Sequence, residues 1–414
     1  MVAHSATLAI HEHVVARQAA GEPVLHLGFG EVGLPVLPRL ERVLTGAARR
    51  NGYPPVAGTA AARSAAAGWF TRRGVPTDAD QIVLAPGSKA LLYALLASLP
   101  GDVVLARPSW VSYAAQAALA GKHVIRVPAP RAAGGVPEPT RLRDALAEAR
   151  AAGRSPGTLL LTLPDNPTGT LASGETVRQA CTIARDEGLA VVSDEIYRDL
   201  CWSDEVTSPA GLVPERAYVT SGLSKSLALG GWRIGFARFP ADDAGAHTRD
   251  RVIGVASEVW SALPGPMQEV AAYALDDPPE VTDHIDASRR LHRIVTTAVF
   301  GVLAETGAEC RPPTAGFYLY PGFAAARPVL ARAGITTGVG LAEHLLTRHG
   351  VGVLAGEAFG DAPDALRFRV ATSLLHGRTD AERWNALQSA DPLTLPWIAE
   401  ALDTLRAGLR ALQP

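Results

Sequence analysis

A chain of 414 residues with 47% hydrophobic and 19% charged side chains is long for one core and is composed like a folded, two-domain enzyme. Its net charge of −2 gives no basic footprint for nucleic acid or an anionic membrane, so neither is expected as a partner. Cys181, Cys201 and Cys310 show no metal spacing or disulfide framework. The start Met1-Val2-Ala3-His4-Ser5-Ala6 has no basic stretch before an apolar one, so a cytoplasmic setting is expected.

In chain order, Thr7 to Ala20 reads as an amphipathic helix ahead of the extended segment Val24-Leu25-His26-Leu27-Gly28-Phe29-Gly30-Glu31. Gly28 and Gly30 either let the backbone approach a ligand or serve only the turn that closes at Gly33-Leu34-Pro35. Tyr53-Pro54-Pro55-Val56-Ala57-Gly58 precedes a helical run from Arg63 to Phe70. The strand Gln81-Ile82-Val83-Leu84 then runs into Gly87-Ser88-Lys89 and a helix start. Free N–H groups and the helix dipole make that junction an anion cradle.

The same rhythm repeats three times. Val103-Val104-Leu105 leads to Pro108-Ser109-Trp110-Val111-Ser112-Tyr113, and Leu159-Leu160-Leu161-Thr162 leads to Asp165-Asn166-Pro167-Thr168-Gly169. Leu189-Ala190-Val191-Val192-Ser193 ends in Asp194, with Tyr197 three residues on. A carboxylate at the end of an apolar strand is costly to bury unpaired, so Asp194 calls for a partner.

A strand from Arg216 to Thr220 enters Ser221-Gly222-Leu223-Ser224-Lys225-Ser226-Leu227-Ala228-Leu229-Gly230-Gly231-Trp232-Arg233-Ile234-Gly235. A lysine attacks a carbonyl only when neutral, which requires burial or a nearby positive charge. Small neighbours around Lys225 let a bulky aldehyde approach the backbone, and a planar arginine at 233 can hold its phosphate. Beyond Gly235 the alternation fades. From about Asp276 a helix and hairpin region follows, with Pro313 to Tyr320 and Val351 to Gly360 as strands and turns. Leu366-Arg367-Phe368-Arg369-Val370-Ala371 is a strand with both arginines on one face. The tail, Asp391 to Pro414, closes with an amphipathic helix.

The stretch from Gly222 to Gly235 resembles the lysine site of the class I/II aminotransferases, the aspartate-aminotransferase-like family of fold type I, and the other motifs fall in that family's order over roughly residues 22 to 375. The resemblance implies pyridoxal 5′-phosphate as cofactor, with Lys225 as its Schiff-base lysine and Arg233 on its phosphate. Gly87, Ser88 and Lys89 are implied on the phosphate, with Ser224 sharing it. Trp110 is implied as stacking on the ring, Asn166 and Tyr197 as bonding its phenolic oxygen, and Asp194 as holding its ring nitrogen. Tyr53 is implied to reach the partner's phosphate across a homodimer interface. Arg367 and Gly30, with Asn166, are implied to hold the substrate carboxylate.

Two positions depart from the family pattern. Gly222 stands where serine is common, which leaves a phosphate oxygen to Ser224, Ser88 or water. Arg369 replaces a small or polar residue, and either contacts substrate or pairs at the surface.

The fold implied is α/β, with a mostly parallel seven-stranded sheet in a large domain and a smaller α/β domain made from both termini. The expected division is an N-terminal segment over 1–45, a cofactor domain over 46–275 and a C-terminal domain over 276–414. The activity implied is amino transfer from an amino acid to a 2-oxo acid. The alternative is a lyase, decarboxylase, cyclase or oxidase reaction on the same scaffold. A cofactor-sensing regulator is disfavoured, because no spare DNA-binding segment precedes the site.

Overall fold

The computed structural model describes residues 4–203 and 206–412; Met1 to Ala3 and the last two residues of the tail reading, Gln413 and Pro414, lie outside them. A two-residue strand β1 (Leu25–His26) follows the N-terminal helix Ala6–Ala19. The apolar runs then form β2 (Ile82–Pro86), β3 (Asp102–Arg107), β4 (Val124–Pro128), β5 (Pro156–Thr162), β6 (Ala190–Asp194), β7 (Ala217–Gly222) and β8 (Ile234–Arg238). These seven lie side by side in the order β2-β8-β7-β6-β5-β3-β4. Only β8 runs against its neighbours; the other six share one direction.

Both faces of this sheet are covered, which is why β3, β5 and β6 read as unbroken apolar runs rather than alternating ones. Leu84, Val104, Leu159, Leu161 and Val191 pack on one face; Val83, Val103, Leu105, Leu160 and Val192 pack on the other. Three of the surrounding helices begin where short polar side chains cap them. Thr59 accepts from the Ala62 N–H, Ser173 from Thr176 and Asp242 from Gly245.

A second core draws on both ends of the chain. Leu27, Val32 and Leu34 join Val295 and Val299 of the long helix Pro279–Glu305 and Ile398 and Leu405 of the helix Pro396–Arg410. Its two sheets are small: β9 (Tyr318–Leu319), β11 (Leu354–Ala355) and β12 (Phe368–Ala371) form an antiparallel one, while β10 (Val351–Gly352) pairs in parallel with β1 in the other.

The direction of β8 decides where the site forms. An antiparallel strand begins at the edge where its neighbours end, so the start of β8 lies beside the carboxyl ends of β2 and β7. Gly87, Asp194, Gly222 and Arg233 therefore meet along one edge of the sheet.

Within the second core, His292 and His376 are fully buried with ring centroids 4.7 Å apart, and no described residue bonds any of their four ring nitrogens. Burial, and then Arg383, push His376 down to about 3; burial, and then His376, hold His292 well below its usual value. Both rings stay neutral in the fold, while the unfolded chain takes up protons once the pH drops below about 6.5. Stability is thus full above that pH and declines as acid is added. Thermal unfolding at pH 7 and pH 5 is expected to show a loss of about 2 kcal/mol from His376 alone, and the His376→Leu variant should flatten that slope.

Candidate active site

At the sheet edge a cavity of about 610 Å³ opens between the two cores, lined by the strand ends and by the inner face of the N-terminal helix. Its first corner is cationic. β2 is followed by Gly87, whose φ of 87° lies in the left-handed region, and the helix Ser88–Ser98 starts there with the free N–H groups that every helix start has. Arg233 has a left-handed φ of 56°, a strained setting for a bulky residue. That turn brings its guanidinium against Gly87, where any Cβ would collide with it. Its Nη1 donates to the Gly230 carbonyl at 3.0 Å and to Ser224 Oγ at 3.5 Å.

Lys89 lies with its ammonium 5.2 Å from the Trp110 ring centre, and burial together with the charge of Arg233 lowers its pKa. Two cations, a serine and a helix start converge with no carboxylate bonded to either cation among the described residues. That donor set fits a phosphate group. Gly222 has an extended φ of 177°, but a Cβ there would come 2.7 Å from the Ile234 carbonyl oxygen, so the serine common in the family has no room. Ser88 and Ser224 are the hydroxyls that line the corner instead.

The middle of the cavity holds an acid. Asp194 ends β6, is buried, and accepts from the Tyr113 hydroxyl at 2.9 Å and the Ile196 N–H at 3.3 Å. Thr162 donates to that tyrosine in turn, at 3.0 Å. Burial raises the Asp194 carboxyl to about 6, against the pull of the Tyr113 bond, so it is ionised at neutral pH. Tyr113 is the partner that the buried acid called for. It lies three residues beyond Trp110, and the two rings meet edge to face with centroids 5.2 Å apart.

Lys225 is carried by the short helix Leu223–Ser226 at the end of β7. Its Nζ donates to the Gly30 carbonyl at 2.6 Å. Burial, then the charges of Arg369 and Arg233, lower its amine to about 8, opposed by Glu31 and Asp194. Gly30 is a required glycine, because a Cβ would collide with the Tyr318 hydroxyl. That hydroxyl is 2.9 Å from the Tyr197 hydroxyl, to which Asn166 Nδ2 donates at 3.4 Å.

The second cationic corner corrects one expectation. Arg367 does not line the cavity: it precedes β12, and its half-exposed guanidinium pairs with Asp361 at 3.3 Å. Asp361 is fixed by Tyr320, whose hydroxyl donates to it at 2.9 Å, and so draws Arg367 away. The arginine that enters the cavity is Arg369, within β12 and 1% exposed. Its Nη1 donates to Asn166 Oδ1 at 3.1 Å and its Nη2 to the Gly28 carbonyl at 2.8 Å, while Nε has no partner among the described residues. The rings of Tyr318 and Phe359 lie 4.8 and 5.1 Å away, and no carboxylate pairs with it among the described residues. A buried, uncompensated guanidinium is a receptor for an anion.

Of the other expected residues, Gly30, Ser88, Lys89, Trp110, Asn166, Tyr197 and Ser224 line the same cavity. Tyr53 does not: it is 95% exposed and stands apart from the pocket of its own chain. Tyr113, Tyr318 and His11 also line the cavity and were not singled out by sequence reasoning. Tyr113 was visible in the Trp110 string, whereas nothing local marks the other two.

The family profile described as aminotransferase class I and II matches residues 24–375. The aspartate aminotransferase of Geobacillus stearothermophilus is 30% identical over 400 residues, covering 93% of this chain and 96% of its own. The arginine–pyruvate transaminase of Pseudomonas aeruginosa is 32% identical over 366 residues, with 85% and 86% covered. Among solved structures, the aspartate aminotransferase of Thermus thermophilus superposes with a TM-score of 0.80 at 25% identity, covering 94% of this chain and 96% of its own.

The phosphate corner is testable without turnover. Gly87→Ala forces a left-handed residue, costing about 1–2 kcal/mol, and displaces Arg233. Calorimetry with inorganic phosphate should show affinity lowered by about tenfold or more, with a lower thermal midpoint; unchanged phosphate affinity would remove Arg233 from the cradle.

Proposed function

This chain belongs to the class I and II aminotransferase family, and from that premise we propose that Lys225 is the amine on which pyridoxal phosphate is loaded for amino transfer between an amino acid and a 2-oxo acid. The observation that carries the reading is a buried amine whose pKa is lowered to about 8, lying in one cavity with an acid and two unneutralised arginine corners. When bound, pyridoxal phosphate supplies an aldehyde that condenses with amines and a ring that takes up the electron pair left when a proton departs the α-carbon.

The residues divide that work by position. Ser88, Lys89, Ser224, Arg233 and the Gly87 turn would hold the phosphate. Asp194, ionised and steadied by Tyr113, would keep a ring nitrogen protonated. Asn166 and Tyr197 offer an amide and a hydroxyl to the ring's phenolic oxygen. Trp110 covers the cavity wall and excludes water from it.

Lys225 Nζ is the proton carrier. At pH 7.5 an amine of pKa about 8 is neutral in roughly a quarter of molecules, against far less than a hundredth at 10.5. Arg369 takes over the carboxylate role expected of Arg367. Asn166 and the Gly28 carbonyl each take one N–H of its two fork nitrogens, and the remaining N–H groups would take the substrate carboxylate.

The exposure of Tyr53 supports a homodimer in which this hydroxyl completes the partner's phosphate site. The free thiols Cys181, Cys201 and Cys310 support a cytoplasmic setting. Relatives carry names with aspartate, prephenate and arginine, whose side chains differ in charge, so the amino donor is a property of this chain's own cavity.

Purified enzyme should be yellow, and borohydride should fix the cofactor at Lys225; Lys225→Ala should retain no reducible adduct and no transfer. A colourless protein with cofactor added would end the reading. A second comparison separates the two arginines. Arg369→Gln should raise KM for the amino donor about 100-fold, the scale of a buried charge-assisted pair. Arg367→Gln should change it by less than about threefold, as expected of a half-exposed pair.

A further inference from the structure

We propose that His11 reads the side chain of the amino donor, as a hydrogen-bond donor oriented by His26, so that the enzyme favours donors with an apolar body ending in an uncharged acceptor. The inference rests on the amino-transfer reading above and names the substrate class of that same cavity.

The N-terminal helix Ala6–Ala19 forms one wall of the cavity through Thr7, Leu8 and His11. It is pinned there along its length. Ile10 seats against Gly28, where a Cβ would lie 2.9 Å from Ile10 Cγ1. Gln18 donates to the Val24 carbonyl at 2.9 Å, and Arg17 to the Leu346 carbonyl at 3.1 Å. Gly28 is the residue whose carbonyl holds Arg369, so this wall and the carboxylate corner share one backbone segment.

The His11 ring stacks on Phe29 with centroids 4.1 Å apart, and its Nδ1 lies 3.0 Å from Nε2 of His26. One of those nitrogens must donate. His26 is buried, and its own Nδ1 has no partner among the described residues. If His11 donated, His26 would carry a buried N–H with no acceptor in the field of the Arg369 guanidinium. If His26 donates from Nε2, its Nδ1 keeps a lone pair, which that positive field favours. Orphaned buried N–H groups are the rarer and costlier of the two. Burial, then His11 and Arg369, lower His26 to about 4, so it remains the neutral donor at working pH. His11 Nδ1 then accepts, and the proton of His11 sits on Nε2, the one ring nitrogen left for a ligand.

The surroundings narrow the class further. Leu8, Phe29, Val32, Ile196 and Ala228 are apolar. The cations that line the cavity are Lys89, Arg233, Lys225 and Arg369, and each already serves the phosphate corner, the reacting amine or the α-carboxylate. None remains for a second carboxylate, and the Glu31 side of the cavity opposes one. A guanidinium or ammonium side chain has no lone pair to offer His11.

The test uses holoenzyme and matched donors that differ mainly in the acceptor: L-tyrosine with L-phenylalanine, and L-glutamine with L-norleucine. The wild type should favour the acceptor-bearing member of each pair by about tenfold or more in kcat/KM. His11→Phe keeps a ring on Phe29 but removes the donor, and should bring each ratio to within about twofold of one, with the change in KM. His26→Leu should do the same, whereas His26→Gln, whose amide can donate to His11 Nδ1, should restore the preference. Equal losses across both members of a pair, or a wild-type preference for L-aspartate or L-arginine over all four, would overturn the proposal.

Should no donor yield transfer, the amino-transfer reading fails by itself. Calorimetric titration of the same four acids into wild type and His11→Phe then decides the role of His11, with a selective tenfold loss for tyrosine and glutamine supporting it and equal affinities overturning it.

Discussion

A primary amine kept out of water beside two arginines is the constraint on which this molecule depends. Burial alone disfavours the charged form of Lys225, and Arg369 and Arg233 on either side disfavour it further. Neither guanidinium is neutralised by a carboxylate among the described residues. The fold therefore holds two unspent positive charges and one reluctant amine in a single cavity, a costly arrangement unless anionic groups arrive to occupy both corners. The remainder of the structure supports that arrangement, with a sheet that ends six strands and begins the seventh at one edge and a second core that brings β12 over it.

Most of the architecture was legible because the sheet is buried on both faces. Unbroken apolar runs at 103–105, 159–161 and 191–192 have few other ways to fold, and each is followed by a glycine, proline or acid that ends it. Lys225, Asp194, Asn166 and the Gly87 turn follow strand ends in short local motifs, and the structure brings them to one edge of the sheet. Even the partner of Asp194 lay within such a motif, as Tyr113.

What escaped was set by contacts distant in sequence. Arg367 and Arg369 share one face of a strand, and periodicity could not choose between them. The choice was made by Asp361, fixed by Tyr320, which binds the first arginine and leaves the second to Asn166. Tyr318 is similar: its hydroxyl matters because Gly30, nearly three hundred residues earlier, leaves space for it. His11 belongs to a helix whose sequence pattern shows only amphipathicity, and its placement over the cavity comes from Ile10 resting on a bare glycine backbone.

The reversed direction of β8 also bears on how the protein matures. The cationic corner is assembled from the end of β2 and the start of β8, so it forms only once β8 has been inserted between β2 and β7. An anion that binds there recognises only molecules in which the last strand has been inserted, and it draws the folding equilibrium toward them by mass action. Any anion held at that corner would therefore stabilise the folded chain through Arg233.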